Sequence, residues 1–309
     1  MNSVQQEIAK FKETRVALLR ERAKSPPSLD QFRREFDELN AAIPLPEGCS
    51  YSPISDARVS GDRLTPGESD SKRALLYHHG GGHTFGSTLS HRHLVGRIAK
   101  AAGVVGFNMF YRLAPEHPYP AGLDDALANY QWLLSQGFKP ENVVIGGESA
   151  GGNLTVALAL KIRELGLPQP AGLYLLSPWL DLNHQGASHL QMADADVVLN
   201  KDLVERCAAA YCGGRTSRSD PLVSPVLADL RGLPPVMVQV GSSEILLSDS
   251  LDFASAAALA GVNVSLRSWP DQVHCWPMFH PAMPASAIPA IEEAAQWIRQ
   301  CFADRTQAI

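Results

Sequence analysis

Gly147-Glu148-Ser149-Ala150-Gly151 sets one hydroxyl among small residues, directly after the apolar run Val143-Val144-Ile145-Gly146 and directly before Asn153-Leu154-Thr155-Val156-Ala157-Leu158. Strand, sharp turn and helix in that order is the context in which a serine becomes a nucleophile. Glycines two before and two after it make room for neighbouring chains, and Oγ projects above the sheet. The positive end of the following helix faces any anion that forms there. The same five residues also fit a tight turn that merely packs small side chains. A phosphate loop would need Gly-Lys-Ser/Thr, and a dinucleotide turn G-x-G-x-x-G; neither is present.

A second motif tips the balance toward chemistry. His79-Gly80-Gly81-Gly82 follows the run Ala74–His78, about 70 residues before Ser149. Acyl transfer builds an oxyanion, and bare backbone N–H groups must point at it. Glycine lets the backbone approach with no Cβ in the way. Gly81 and Gly82, with the N–H of Ala150, make three candidate donors, each typically worth about 2.7–4 kcal/mol of barrier. His79 reads as a residue that holds this loop, not as a base.

These two motifs, with Tyr111-Arg112-Leu113-Ala114-Pro115-Glu116 between them and Gly152 completing the turn, stand in a set order. In that order the chain resembles the hormone-sensitive-lipase-like branch of the α/β-hydrolases, the bacterial family IV esterases, from about residue 50 to its end. The resemblance implies an α/β fold: a mostly parallel eight-stranded sheet with helices on both faces, and a helical cap. It implies hydrolysis of carboxylic esters with short to medium acyl chains, and often a homodimer. One position departs. The family usually has Asp or Thr where this chain has Glu148, which bears on the subfamily and not on the reaction.

A triad on this scaffold runs Ser, acid, His along the chain. Only His274 and His280 lie late enough. His274 follows the run Val262–Trp269 in the loop where the family keeps its catalytic histidine, so the resemblance assigns it the base, with His280 the alternative. For the acid, Glu244 stands three residues after Gly241 and 30 before His274, the position at which the family carries Asp or Glu. Asp249 and Asp181 are its competitors. His83, Trp179, Trp276, Val198 and Leu199 are candidate substrate contacts, with core packing equally open to the tryptophans and a solvated position open to His83. Arg112 reads as buried against Glu116 or Asp125. His78, His79 and His83, and then His91 and His93, cluster without a His-Glu-x-x-His pattern. They read as a strand end, a glycine loop and a helix start, so neither metal nor organic cofactor is expected.

The elements must bring Ser149, Glu244 and His274 together. Strand-like runs at Ala74–His78, Val104–Tyr111, Val143–Ile145, Gly172–Ser177, Val236–Val240 and Val262–Trp269 alternate with helical stretches near 90–102, 121–136, 150–165, 248–260 and 288–303. This alternation predicts a largely parallel sheet. About 55 residues separate Trp179 from Val236. They include a helical stretch, Lys201–Tyr211, and a Pro-rich segment, Asp220–Pro235. Insertions of that length usually carry function. The first 42 residues read as two helices parted by Pro26-Pro27, with capping boxes at Ser3/Gln6 and Ser28/Gln31. The expected organisation is a cap from 1–45 and 184–215 over a catalytic core of 46–183 and 216–309.

Composition bounds the rest. The 309 residues are 45% hydrophobic and 19% charged, with a net charge of −5. That argues against nucleic-acid binding by bulk charge. Five scattered cysteines without Cys-x-x-Cys predict a reducing compartment. With no apolar leader and no membrane span, the expectation is a cytoplasmic protein acting on a small-molecule ester. Lactone hydrolysis by the same residues, and a non-catalytic receptor on this scaffold, are the rival readings.

Overall fold

In the computed structural model, which describes residues 2–303, the sheet has eight strands in the order β1-β2-β4-β3-β5-β6-β7-β8. They are β1 (Cys49–Ser55), β2 (Ser60–Pro66), β3 (Asp70–His78), β4 (Val104–Met109), β5 (Val143–Glu148), β6 (Gly172–Leu176), β7 (Val236–Gly241) and β8 (Val264–Trp269). β2 runs antiparallel to both β1 and β4; from β4 across to β8 every pairing is parallel. All six strand-like runs of the sequence are strands. β1 and β2 are additional: β1 is largely exposed, and in β2 the alternately buried Asp62, Leu64 and Pro66 stand in a mostly polar stretch, so neither shows the apolar run that marks the others.

Side chains of the central strands alternate strictly between two buried layers. Ala74 and Leu76, Val143 and Ile145, Leu173 and Leu175, and Val236 and Val238 face one side, with α4 (Ala121–Ser135), α5 (Ala150–Glu164) and α8 (Leu247–Leu259). Leu75 and Tyr77, Val144, Tyr174 and Leu176, and Met237 face the other, with α3 (Thr88–Ala102) and α9 (Pro284–Ala303). Helices cover both faces because parallel strands are joined by crossovers and must bury both sides.

The chain opens with α1 (Ser3–Lys24) and α2 (Leu29–Ala41). The cap of α1 lies one residue earlier than expected: Asn2, not Ser3, accepts from the Gln5 N–H and completes the box, because the helix already includes Ser3. Ser28 does cap α2, accepting from the Gln31 N–H at 3.2 Å, while the Gln31 side chain turns to Glu35 instead of closing the box. The long insertion holds α6 (Ser188–Gln191) and α7 (Lys201–Cys212). Asn200 starts α7 and Gly213, left-handed, ends it. Among the described residues no helix is long and apolar enough to cross a membrane.

Asn153 ties the first turn of α5 to the segments around it. Its Nδ2 donates to the carbonyls of Trp179 and Val223, both at 2.9 Å, in a fully buried setting. Asn153→Ala would strand two buried carbonyls. It is expected to cost about 2–4 kcal/mol, measurable as a lower urea midpoint at unchanged m-value.

Candidate active site

Ser149 sits between β5 and α5 with φ 54° and ψ −120°, a backbone region that costs an L-residue energy and persists only where its surroundings enforce it. Three backbone bonds do so. Its N–H donates to the Leu176 carbonyl at 3.0 Å, and its own carbonyl accepts from Trp179 at 3.0 Å and Asn153 at 3.1 Å. The glycines of the motif are steric necessities. A Cβ on Gly147 would strike the Gly151 carbonyl, and one on Gly151 the His78 carbonyl at the end of β3. Only 8% of Ser149 is exposed.

Glu244 follows β7 and is fully buried. Its Oε1 accepts from the Ser177 hydroxyl at 2.7 Å and from the Gly241 N–H at 2.6 Å. Its Oε2 lies 2.6 Å from Nδ1 of His274. Burial alone would lower the imidazole pKa. The Glu244 carboxylate, with Asp196 and Glu148 behind it, outweighs burial and raises His274 above the ordinary histidine value. The other late histidine, His280, stands beside His93, and burial lowers it to about 4. Asp249 is spent elsewhere. It accepts from the backbone of Leu180 and Asp181 and faces His189 at 3.2 Å. Asp181 organises its own loop through the N–H groups of Asn183 and Gln185.

The glycine loop curls tightly after β3. Gly81 and Gly82 have φ of +107° and +59°, and His83 follows at +57°. The Gly81 carbonyl accepts from Thr84 and Phe85 at 2.9 and 3.0 Å. Among the described residues, the N–H groups of Gly81, Gly82 and Ala150 have no acceptor. His79 does hold the loop. Its Nδ1 meets the Gly80 carbonyl at 2.8 Å, its ring stacks on Tyr111, and the Tyr111 hydroxyl donates to the His79 carbonyl at 2.6 Å. Burial drops the His79 pKa to about 3, so the ring is neutral near pH 7.

Of the candidate substrate contacts, His83, Trp179 and Leu199 gather near Ala150. The His83 ring lies buried and flat on Tyr211, centroids 3.7 Å apart, which rules out the solvated reading. Trp179 and Leu199 pack in one apolar cluster with Ala150, Cys207, Tyr211 and Ile245. Val198 and Trp276 turn instead to the layer beneath α9, where Trp276 meets Trp269 at 5.6 Å. Core packing is therefore the reading of Trp276 that its neighbours match.

Several residues at this site carried little sequence signal. Ser177, at the end of β6, donates to Glu244 and accepts from the Cys275 N–H at 3.1 Å. Its place at the polar end of an apolar run was the available clue. The Cys275 thiol lies 3.3 Å from Nε2 of His274. Asp196 accepts from Val198, Leu199 and Ile245 backbone N–H groups, bracing the segment next to Glu244. Cys207 of α7 rests on the glycine loop, its Cβ 3.0 Å from where a Gly82 Cβ would stand.

Both N-terminal helices also reach the site. Lys12 donates to Ser243, beside Glu244, at 3.1 Å. Arg33 donates to the carbonyls of Thr84 and Ala114 at 2.7 and 2.9 Å and pairs with Glu116, whose carboxyl it lowers to about 2. Phe32 and Phe36 meet Phe85 edge-on. With Glu116 taken by Arg33, Arg112 pairs with Asp125 at 2.8 Å, and it does so at the surface instead of buried as its sequence context suggested. His78, His83 and His93 are buried with lowered pKa values, and among the described residues no group of three or more His, Cys, Asp or Glu could hold a metal ion.

Known proteins resemble this chain closely. A family profile described as the alpha/beta hydrolase fold matches residues 75–278. An acetyl-hydrolase of Streptomyces hygroscopicus is 42% identical over 80% of this chain and 81% of its own length. An esterase of Acinetobacter venetianus is 34% identical over 91% of this chain and 93% of its own. The crystal structure of an esterase from the bacterial hormone-sensitive lipase family superposes with a TM-score of 0.89 at 37% identity, covering 94% of this chain and 98% of that one.

The geometry around His274 makes a direct prediction. Its raised pKa means that the protonated ring is favoured by the carboxylate beside it. NMR titration should place His274 above the ordinary value of about 6.5, and Glu244→Gln should lower it. Titration of wild-type His274 below 6.5 would contradict the charge balance described.

Proposed function

The chain belongs to the α/β-hydrolase family, in its hormone-sensitive-lipase-like branch of bacterial esterases, and is a carboxylic-ester hydrolase; on that premise we propose that it works through an acyl-enzyme on Ser149. Ser149 Oγ attacks the ester carbonyl while His274 Nε2 takes its proton and Glu244 orients the ring. The oxygen that becomes negative is held by the N–H groups of Gly81, Gly82 and Ala150. The imidazolium returns the proton to the departing alcohol. Water, deprotonated by the same histidine, then attacks the acyl carbon, and the acid leaves with Ser149 restored. The observation that carries this reading is the bond of 2.6 Å from buried Glu244 to His274, supported by the strained turn that holds Ser149.

The acyl group is short to medium in length. Supporting this, Trp179, Tyr211, Cys207 and Leu199 crowd the space around Ala150. Residues 1–45 and 184–215 act as the cap over the core of 46–183 and 216–309, because α1, α2 and α7 each touch a loop that carries the chemistry. A homodimer is the assembly the family likeness favours, and the scattered cysteines favour a cytoplasmic setting.

Initial rates on p-nitrophenyl esters from C2 to C12 test both claims. Activity is expected to peak between C2 and C6 and to fall by about 10⁴-fold or more in Ser149→Ala. Substantial turnover by the mutant would sink the mechanism; a flat profile to C12 would sink the short pocket. The cap reading predicts that Arg33→Ala loosens the Thr84 segment. Its kcat/KM on the butyrate ester should drop on the order of tenfold, while Tm moves by about 3 °C or less, as befits a surface pair. Unchanged kinetics would refute it.

A further inference from the structure

One buried carboxylate beside the nucleophile takes no part in the acyl transfer. Glu148, the last residue of β5, is 1% exposed, and His91 on α3 is 2% exposed. Oε1 of Glu148 lies 2.7 Å from His91 Nε2 and also accepts the N–H of Gly80, the first glycine of the oxyanion loop. His91 is itself well fixed. Its Nδ1 is 3.0 Å from the Ser90 hydroxyl and 3.2 Å from the Ser87 carbonyl, at the capped start of α3. Its ring stacks on His79 at 5.2 Å and meets Phe36 of α2 at 6.0 Å.

The loop lies flush on this pair. A Cβ on Gly80 would come 2.7 Å from Glu148 Oε1 and 3.2 Å from the Ser149 Cβ. At the other end of the loop, a Cβ on Gly86 would come 2.9 Å from His79 Nδ1 and 3.2 Å from His91 Cε1. Three successive glycines have wide conformational freedom, yet donors stabilise an oxyanion cheaply only when already aimed. Something must therefore remove that freedom before substrate arrives.

We propose that Glu148 and His91 are positioning residues for the oxyanion hole: Glu148 pins the Gly80 N–H and thereby the peptide planes of Gly81 and Gly82, and His91 pins Glu148. The pairing is strong enough that the Glu148 carboxyl is lowered in spite of its burial. Since the neutral ester carbonyl gains little from these donors and the oxyanion gains much, the effect falls on kcat and not on KM. This inference rests on the serine-esterase reading.

Glu148→Ala, Glu148→Gln, His91→Phe and His91→Gln test it. A fluorophosphonate counts the competent serines in each preparation. Kinetics per titrated serine on p-nitrophenyl butyrate, and inhibition by a trifluoromethyl ketone that becomes an oxyanion on binding, follow. Glu148→Ala and His91→Phe should lower kcat roughly 10–100-fold, approaching the loss of one donor, with KM within about twofold and ketone affinity falling in parallel. Glu148→Gln, which keeps an acceptor for Gly80, should retain more activity than Glu148→Ala. Wild-type kcat per titrated serine in all four, with losses confined to Tm or to the number of sites, would assign the pair a purely structural role and overturn the proposal. Absence of labelling at Ser149 in the wild type would overturn the serine reading itself, and this inference with it.

Discussion

The β5–α5 turn can close only where no Cβ intervenes, and most of the site follows from that. Gly147 and Gly151 are pressed against each other and against the end of β3. This contact brings the Ser149 turn and the glycine loop together on one seam of the sheet. The strain at Ser149 is held by backbone bonds to β6 and to the segment that follows it, including Leu176 and Trp179. Adjacent parallel strands then deliver Ser177, Glu244 and His274 in order along their C-terminal ends. A crevice outside those ends is where open α/β sheets keep their ligands.

How legible this was depended on how local each cause is. The turn motif, the glycine loop and the central strands are written in short stretches, because steric exclusion and two-sided burial act within a few residues. β1 and β2 were not visible, since β1 is largely exposed and the buried positions of β2 include Asp62 and Pro66, so neither offers a run of apolar residues. The acid was ambiguous for the same reason. Glu244, Asp249 and Asp181 look alike in one dimension, and only the crossover geometry decides that Glu244 meets His274 while Asp249 stitches the segment after β6. Ser177 with Glu244 and Cys275, and Asp196 with Ile245, meet partners 49 to 98 residues distant, on which local pattern is silent. Arg112 misled because Glu116 has a better partner in Arg33, more than 80 residues upstream.

The interior of this site is unusually rich in ionisable groups, and their arrangement divides the work. Rings with no carboxylate directly beside them, such as His78 and His83, are driven neutral by burial and act as shaped aromatic surface. Three buried rings meet a carboxylate: His274 with Glu244, His91 with Glu148, and His189 with Asp249. Buried charge is costly unless paired and hydrogen-bonded, and here each carboxylate accepts a backbone N–H besides its histidine.

The Cys207 side chain on Gly82 has an evolutionary corollary. Inserted segments on a fixed scaffold are commonly regarded as free to drift, altering what is bound while leaving reactivity alone. In this molecule α7 leans directly on Gly82 of the glycine loop, so under the proposed mechanism selection on specificity and selection on rate meet at the same atoms. A lineage exploring bulkier side chains at position 207 would have to shift the backbone of the glycine loop. Diversification of the insertion is thereby steered toward the parts of α7 and its flanks that face away from the loop.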